Sequence, residues 1–336
     1  MGIIFSEGSG LNDSIFGKCQ MPIKMFMEKR AESFEAKSML KEFFFMDTSD
    51  QFAVKFGGMT AMDGPDPVGE NGEYPSDSMQ EGYSKWLESM TWKDSFAISQ
   101  EMIEDGKLMD MKKQPSQFMA GWNRNRETFG AAIFGGAMRG QTSITYKGKK
   151  FDISCADGLS VFHKAHKPMI KGDVQSNLFS NAFSADALDR AEAAMQQFRG
   201  ENGEVLGIAP TTIAIANHPA LKRKVFAAIG ADQDPDSAGN GFNFQYGRWR
   251  VKIWNYLNQF VTDLNEPWML IDDDYNQEVG GAVWIDRVPL SVKSEIADND
   301  ANVWKGRARF NGTFNDWRFA CLGGIEGGTD LATLKV

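Results

Sequence analysis

The sequence predicts an α+β fold, which combines helices with sheets. Three patterns lead to this prediction. Apolar residues recur at helical spacing after Pro115, buried strands alternate with helices between about 180 and 230, and the last third is rich in strands. The 336 residues are enough for two or three packed lobes.

The N-terminal region, residues 1–50, combines several glycines with one amphipathic stretch at residues 23–45. We expect this stretch to form a helix. Two placements stay open: it docks on a neighbouring molecule as an arm, or it packs on its own domain.

Residues 55–85 form the most unusual segment of the chain. Their glycines and prolines oppose regular helix, and their acidic side chains favour solvation. Strand-like runs flank them at 51–56 and 84–92, which predicts a long hairpin with a flexible tip that rests on another surface. The acidic residues are Asp63, Asp66, Glu70, Glu73, Asp77 and Glu81.

The middle of the chain is predicted to begin with a long helix that has Pro115 in its first turn and is ended by Gly135, Gly136 and Gly140. Ser184 is the expected N-cap of a second helix, and a third is expected at residues 220–229, stopped by Gly230. Strands are predicted at residues 211–216, 249–257, 268–272, 279–288 and 303–322, with a polar loop at 232–241.

The composition favours packing over chemistry. The chain contains 25 Phe, 9 Trp, 6 Tyr and 18 Met, residue types that bury large areas and adapt to irregular surfaces. They suit contacts between subunits, and equally a well-packed monomer. The net charge of −9 argues against tight sequence-specific DNA binding, because DNA readers present a basic face. Neither a signal peptide nor a membrane span is expected from the apolar pattern.

Several short fragments, in order and at similar spacing, resemble the tailed-phage major capsid proteins of the Hong Kong 97-type fold. The likeness is greatest to the head subunits of Mu-like phages, and it covers roughly residues 50–325. The fragments are LSVFHKAH at 159–166, LFSNAFSADAL at 178–188, IAPTTIAI at 208–215, ALKRKVF at 220–226, GRARFNG at 306–312 and FACLGG at 319–324.

The resemblance implies a division of the chain. Residues 1–50 would be the N-terminal arm, 51–94 the extended β-hairpin loop over a neighbour, and 95–150 part of the peripheral domain with its long spine helix. The remaining parts would be an axial α/β domain at 151–280, return strands of the peripheral domain at 281–325 and a tail at 326–336.

The resemblance also implies the function and the partners. The chain would be a capsid protein of the virion, made in the bacterial host cytoplasm, that self-assembles through pentamers and hexamers into an icosahedral shell around double-stranded DNA. A portal protein is a further expected partner, and the participation of scaffold or decoration proteins stays open. The inner face would meet DNA non-specifically through scattered cations such as Lys18, Lys24 and Lys29. No catalytic, cofactor-binding or metal-ligating residue is predicted, and no membrane.

Candidate reactive groups are few, and each has an ordinary structural explanation. His163 and His166 would share a helix face and, with Asp157 and Asp173, could hold a metal; a structural pair is favoured, since no H-E-x-x-H motif is present and His218 is remote. The acidic run 272–274 is expected to be an exposed turn. The cysteines Cys19, Cys155 and Cys321 are expected to be free, buried thiols.

Three alternatives stay open. Some members of the resembled fold cross-link subunits, for which Lys55 or Lys85 and Asn311 or Asn315 are the candidates here. An encapsulin-like nanocompartment would share the fold and enclose protein cargo. A metal-dependent hydrolase using the histidine pair is the third alternative, and it comes from a different functional class.

Overall fold

The computed structural model describes residues 3–7, 17–59, 67–68, 73–74, 81–105, 108–230 and 243–334. The predicted hairpin tip and the predicted loop at 232–241 lie outside these residues for all or most of their length.

The N-terminal half contains both helices and strands. In chain order they are β1 (Ile4–Glu7), α1 (Gly17–Glu35), α2 (Leu40–Phe43), β2 (Phe45–Thr48), β3 (Ala53–Met59), β4 (Glu81–Glu88), β5 (Met90–Ile98), α3 (Gln100–Glu104), α4 (Leu108–Met138), β6 (Ser143–Tyr146) and β7 (Lys149–Asp152).

The C-terminal half contains α5 (Ala185–Gln196), β8 (Thr212–Ala216), α6 (Pro219–Ile229), β9 (Arg250–Trp254), α7 (Asn258–Val261), β10 (Trp268–Ile271), α8 (Asp273–Val279), β11 (Ala282–Ile296), β12 (Asn302–Phe314) and β13 (Ala320–Gly323).

The larger sheet has the strand order β1-β11-β12-β5, and β2 also pairs with β11. Its long antiparallel centre is formed by β11 and β12. The two N-terminal strands β1 and β2 run parallel to β11 and cover different parts of its edge. The N-terminal region therefore completes this sheet.

Helix α4 packs across one face of the larger sheet. Strand β12 approaches it closely at Gly306, where an added Cβ would lie 2.6 Å from Phe118. The helix buries Phe129 and Phe134 completely. Around them is an aromatic core that also includes Phe43, Phe44, Trp254, Trp284, Phe310 and Phe314. The aromatic-rich composition thus fills the space between the helix and the sheet.

The predicted long helix is present, but its start was predicted wrongly. It begins at Leu108, so Pro115 lies inside it and not in its first turn. Proline removes one backbone donor from a helix, and one such loss is tolerated in a helix that is buried along much of its length. Gly135 and Gly136 also lie inside the helix, where each is packed against a neighbouring side chain.

The N-terminal stretch packs on its own chain. The expected helix at 23–45 is divided into α1, α2 and the start of β2. Met27, Phe43 and Phe44 are fully buried, and Phe43 and Phe44 both contact Phe134 of α4. This stretch therefore packs on its own domain, and the assignment of residues 1–50 as an arm that reaches a neighbouring molecule stays a prediction.

A second sheet has the order β13-β10-β8-β9, with β8 and β9 parallel. Strand β8 is fully buried, as its composition predicts. The Ser184 hydroxyl accepts a hydrogen bond from the Ala187 amide at 3.1 Å, which confirms the predicted N-cap of α5. Helix α6 ends at Gly230 as expected.

Several predicted strands have other bounds. The strand predicted at 249–257 is shorter and ends at Trp254. The run at 84–92 is divided at Ser89 between β4 and β5, which pair with different strands. Residues 273–279 are helical because Asp272 caps α8, so the next strand starts at Ala282. The run at 303–322 is interrupted after Phe314 and resumes at Ala320, as β13 of the second sheet.

Candidate assembly surface and the predicted sites

The predicted hairpin is present as the pair β3 and β4, with Ala53 opposite Glu88 and Met59 opposite Glu81. Side chains alternate along β4: Leu87 is buried and Trp86 is 63% exposed. Leu87 packs with Val283 and Ile285 of β11 in a small separate cluster. The base of the hairpin is therefore anchored on the sheet, while its other face is open.

Lys85 provides a polar anchor for the same strand. Its side chain is only 8% exposed. The Nζ atom donates hydrogen bonds to the backbone oxygen and, at 3.2 Å, to the hydroxyl of Ser154, and it lies 3.4 Å from Asp152 Oδ1. Burial lowers the pKa of Lys85, and the nearby Asp152 carboxylate opposes this shift. Because the ammonium is occupied within its own chain, Lys85 is a poor source of an amine for a neighbour.

The other candidates for a cross-link are Asn311, Asn315 and Lys55, and the two asparagines already form hydrogen bonds within their own chain. Asn311 Nδ2 donates to the backbone oxygen of Glu88 at 2.8 Å. Asn315 is buried, and its backbone bonds to Gly281 and Ala156. Lys55 is exposed on β3, opposite Trp86. Among the described residues no hydrogen bond joins either lysine to either asparagine, and a cross-link between subunits stays an open alternative.

The histidine pair does not lie on a helix, so the predicted shared helix face is wrong. His166 is fully buried, with its Nδ1 2.6 Å from Asp157 Oδ2 and its ring stacked on Trp317 at 4.3 Å. His163 Nδ1 accepts from the Ala165 amide. Burial alone would raise the pKa of Asp157, but the bond to His166 holds it below its usual value. The two histidines therefore stabilise the loop around Asp157. This is the structural role that the sequence favours over a metal site.

No cluster of three or more metal-ligating side chains occurs within the described residues. Asp173 is exposed, and His218 stands at the start of α6 with its Nδ1 3.7 Å from Glu266. The metal site is thus without a third ligand in the described part of the chain.

The acidic run 272–274 is not an exposed turn. Asp272 is buried and accepts hydrogen bonds from the amides of Tyr275 and Ala209, both at 2.9 Å. Both carboxylate oxygens of Asp273 lie 2.9 Å from Lys252 Nζ. The prediction was wrong because the local sequence of a solvated acidic turn is the same as that of an acidic N-cap residue followed by a carboxylate that pairs with a distant lysine.

Cys155 and Cys321 are free and buried, as predicted. Burial raises the pKa of Cys155 well above its usual value and that of Cys321 to about 12. Both thiols are therefore protonated and unreactive at neutral pH. The side chain of Cys19 lies outside the described part of the chain.

The sequence model of a family described as phage capsid protein matches residues 83–322, more than two thirds of the chain. The chain belongs to the phage capsid protein family. It is a capsid protein that forms the shell, it is located in the virion, and its partners include further copies of itself. No curated protein matches it. No helix in the described ranges is long and apolar enough to cross a membrane.

Solved structures confirm the Hong Kong 97-type fold. The capsid structure of the cyanophage P-SCSP1u has 9% identity and a TM-score of 0.50, over 85% of this chain and 87% of that one. The structure from Mycobacterium phage Patience has 9% identity and a TM-score of 0.50, over 98% and 94%. At this identity the likeness concerns the fold alone. A virus-like particle from Pyrococcus furiosus has 8% identity and a TM-score of 0.47, over 90% and 97%.

Proposed function

We propose that this chain is the major head subunit of a tailed phage, and that it builds an icosahedral shell of pentamers and hexamers around double-stranded DNA. The role is structural, without catalysis. The order of the resembling fragments supports a relationship to Mu-like phages. The proposal also includes assembly in the host cytoplasm and the division of the chain into arm, extended loop, peripheral domain, axial domain and tail at the boundaries given above.

The open face of the hairpin is the observation that carries the proposal. Trp86 of β4 is 63% exposed and lies on the face opposite to that of Leu87. Large aromatic side chains at this exposure are typical of surfaces that become buried on association. The hairpin is a two-stranded sheet in the described residues, so its edges also offer backbone groups to a neighbouring chain.

Symmetric closure multiplies such contacts, because each subunit buries moderate area against several neighbours. A portal protein would attach to this shell, together with any scaffold or decoration proteins. Packaged DNA would meet the inner face through scattered cations of the arm and the long helix α4.

The test is assembly in solution, followed by light scattering for the wild-type chain and the variant Trp86→Ala. We expect the variant to assemble markedly less while its thermal unfolding is unchanged, since Trp86 contributes little to the isolated fold. A matched control is Val205→Ala, which truncates another exposed apolar residue far along the chain. Equal assembly by Trp86→Ala and wild type would contradict the role given to the hairpin.

A further inference from the structure

A cleft of about 440 Å³ lies between helix α4, strand β5 and the turn that joins β6 to β7. Its wall on α4 consists of Gly121, Arg124, Asn125 and Thr128. These positions follow the spacing i, i+3, i+4 and i+7, which places them along one face of a helix. The Arg124 side chain is exposed and those of Asn125 and Thr128 are half-buried. This stripe of α4 is therefore open to solvent.

Gly121 has no packing reason to be a glycine. At Gly130, Gly135 and Gly136 of the same helix, an added Cβ would lie 2.3 Å from a neighbouring side chain, whereas at Gly121 it would meet nothing within 4 Å. Glycine destabilises the interior of a helix relative to alanine. The missing side chain at Gly121 therefore lowers the stability of α4, and its structural effect is to keep the cleft open.

The opposite wall of the cleft carries a second residue that is unfavourable for the fold. Lys147 and Gly148 form the two-residue turn between β6 and β7, and both have a positive φ, 48° and 77°. Turns of this kind favour asparagine followed by glycine, because most other residues are strained in the left-handed region. Strained residues concentrate at functional sites. A lysine at this position indicates that the cation itself is needed there.

A hydrogen bond holds the turn against α4 at the cleft: the Tyr146 hydroxyl donates to Asn125 Oδ1 at 3.1 Å. The Asn125 oxygen is thus occupied, and its Nδ2 group has no hydrogen-bond partner in the described part of the chain. Arg124 and Lys147 form no ion pair with any described residue. The carboxylate of the described lining is that of Asp94, and its Oδ1 already accepts from the Ser95 amide at 2.9 Å. The cleft therefore presents unpaired cations and an amide donor.

The aromatic residues of the cleft are occupied by the core. Trp92 Nε1 donates to the backbone oxygen of Phe310 at 3.1 Å, and the Trp92 ring is stacked on those of Phe310 and Phe151. The Tyr146 ring packs against Phe129, with Lys147 Nζ 5.9 Å from its centre. Proteins that bind nucleobases stack them on free aromatic faces. Cations and an amide donor without such a face suit a phosphate group instead.

We propose that this cleft binds a phosphate group of the DNA backbone, with Arg124 and Lys147 as its cationic contacts and the Asn125 amide as a neutral donor. The inference rests on the proposed function, in which cations of α4 meet the packaged DNA, and it names the position and the chemistry of one such contact. Binding is independent of base sequence, because phosphates carry no sequence information. A free phosphate ion has the same chemistry and fits the same cleft.

The experiment measures binding of a short labelled DNA duplex to the unassembled full-length chain, by fluorescence anisotropy at several salt concentrations. The cleft variant, Arg124→Gln with Lys147→Asn, removes both cations. The control, Arg223→Gln with Lys222→Gln, removes the same two residue types from α6, outside the cleft. We expect roughly tenfold weaker binding for the cleft variant only. Its plot of log affinity against log salt should be shallower by about 2, because two fewer phosphates are neutralised.

Two single variants separate the site from the fold. Gly121→Leu fills the cleft without changing the charge, and it should weaken DNA binding severalfold. Lys147→Asn should weaken binding while it raises Tm, because asparagine is favoured in the turn. A merely structural lysine would give the opposite result, a lower Tm with unchanged affinity, and that result would overturn the argument. Thermal unfolding of every variant checks that it is folded.

Equal affinity of the wild type and the cleft variant would overturn the inference, and so would wild-type affinity in Gly121→Leu. An equal loss in the α6 control would indicate a diffuse field instead of a site. Inorganic phosphate at constant ionic strength should displace the duplex from the wild type. Displacement by poly-glutamate and not by phosphate would indicate a protein partner that bears carboxylates, which also contradicts the inference.

A titration with inorganic phosphate alone distinguishes the two sources of the phosphate group. Loss of phosphate binding in the cleft variant, with unchanged binding of the duplex, would assign the cleft to the free ion and overturn the DNA contact. Shell assembly of the wild type is measured separately by light scattering. Failure to assemble would contradict the proposed function, whereas the affinities of the unassembled chain decide the phosphate contact by themselves.

Discussion

Lys252 joins three parts of the fold and gives the most direct test of the packing described above. Its Nζ lies 2.9 Å from both carboxylate oxygens of Asp273 and donates to the backbone oxygen of Glu42 at 2.7 Å. Lys252 is in β9, Asp273 begins α8 and Glu42 belongs to α2. The side chains of Lys252 and Asp273 are only 10% and 17% exposed.

The variant Lys252→Met removes the cation and keeps most of the apolar stem. It leaves the Asp273 carboxylate with Thr212 Oγ1 as its remaining partner, at 2.7 Å. Removing one partner of a largely buried ion pair costs about 3 kcal/mol. For a chain of this size that corresponds to a fall in Tm of roughly 5 °C. The measurement is thermal unfolding of the unassembled chain.

A double variant separates the missing charge from the missing volume. Lys252→Met with Asp273→Asn leaves no uncompensated charge, so it should be about 1 to 2 kcal/mol more stable than the single variant. A single variant within about 0.5 kcal/mol of the wild type would refute the reasoning. The reasoning would also be refuted if the double variant were less stable than the single variant, because the two substitutions would then act independently.

Three further predictions concern stability. Asp157 has a lowered pKa in the folded state, so its contribution is present above its unfolded pKa and is lost as the pH falls through the folded value. The stability difference between wild type and Asp157→Asn should therefore shrink between about pH 5 and pH 2; a constant difference would contradict this. Gly306→Ala forces a Cβ within 2.6 Å of Phe118 and should cost about 1 to 3 kcal/mol in denaturant unfolding, whereas Gly121→Ala, in open space on α4, should be neutral or stabilising. Asn177→Ala removes the buried amide whose Nδ2 lies within 3.2 Å of three backbone oxygens and donates through its two N–H groups. This change should lower the unfolding free energy by about 2 to 4 kcal/mol; a loss under 1 kcal/mol would be inconsistent with those bonds.

Much of the fold could be predicted because its signals are local. The Ser184 N-cap needs only the residue itself and the apolar stripe after it. The hairpin follows from two strand-like runs around a segment in which glycine and proline exclude helix. The body of α4 follows from apolar spacing, although Pro115 moved the predicted start by one to two turns.

The rest depends on contacts between distant residues. The sequence around Asp273 has the pattern of a solvated acidic turn, and only the approach of Lys252 makes it a buried pair. The histidine spacing gives no sign that Trp317, about 150 residues later, stacks on His166. That Lys93, Lys293 and Arg307 share one face of the larger sheet was not predicted, because it follows only from the strand registers.

The measurement that tests the central claim most directly is negative-stain electron microscopy of the chain expressed alone, with light scattering on the same sample. The proposed function predicts closed shells of nearly uniform size, or rings of capsomers. A monomer that never assembles, even with crowding agents or added salt, would contradict a shell-forming role.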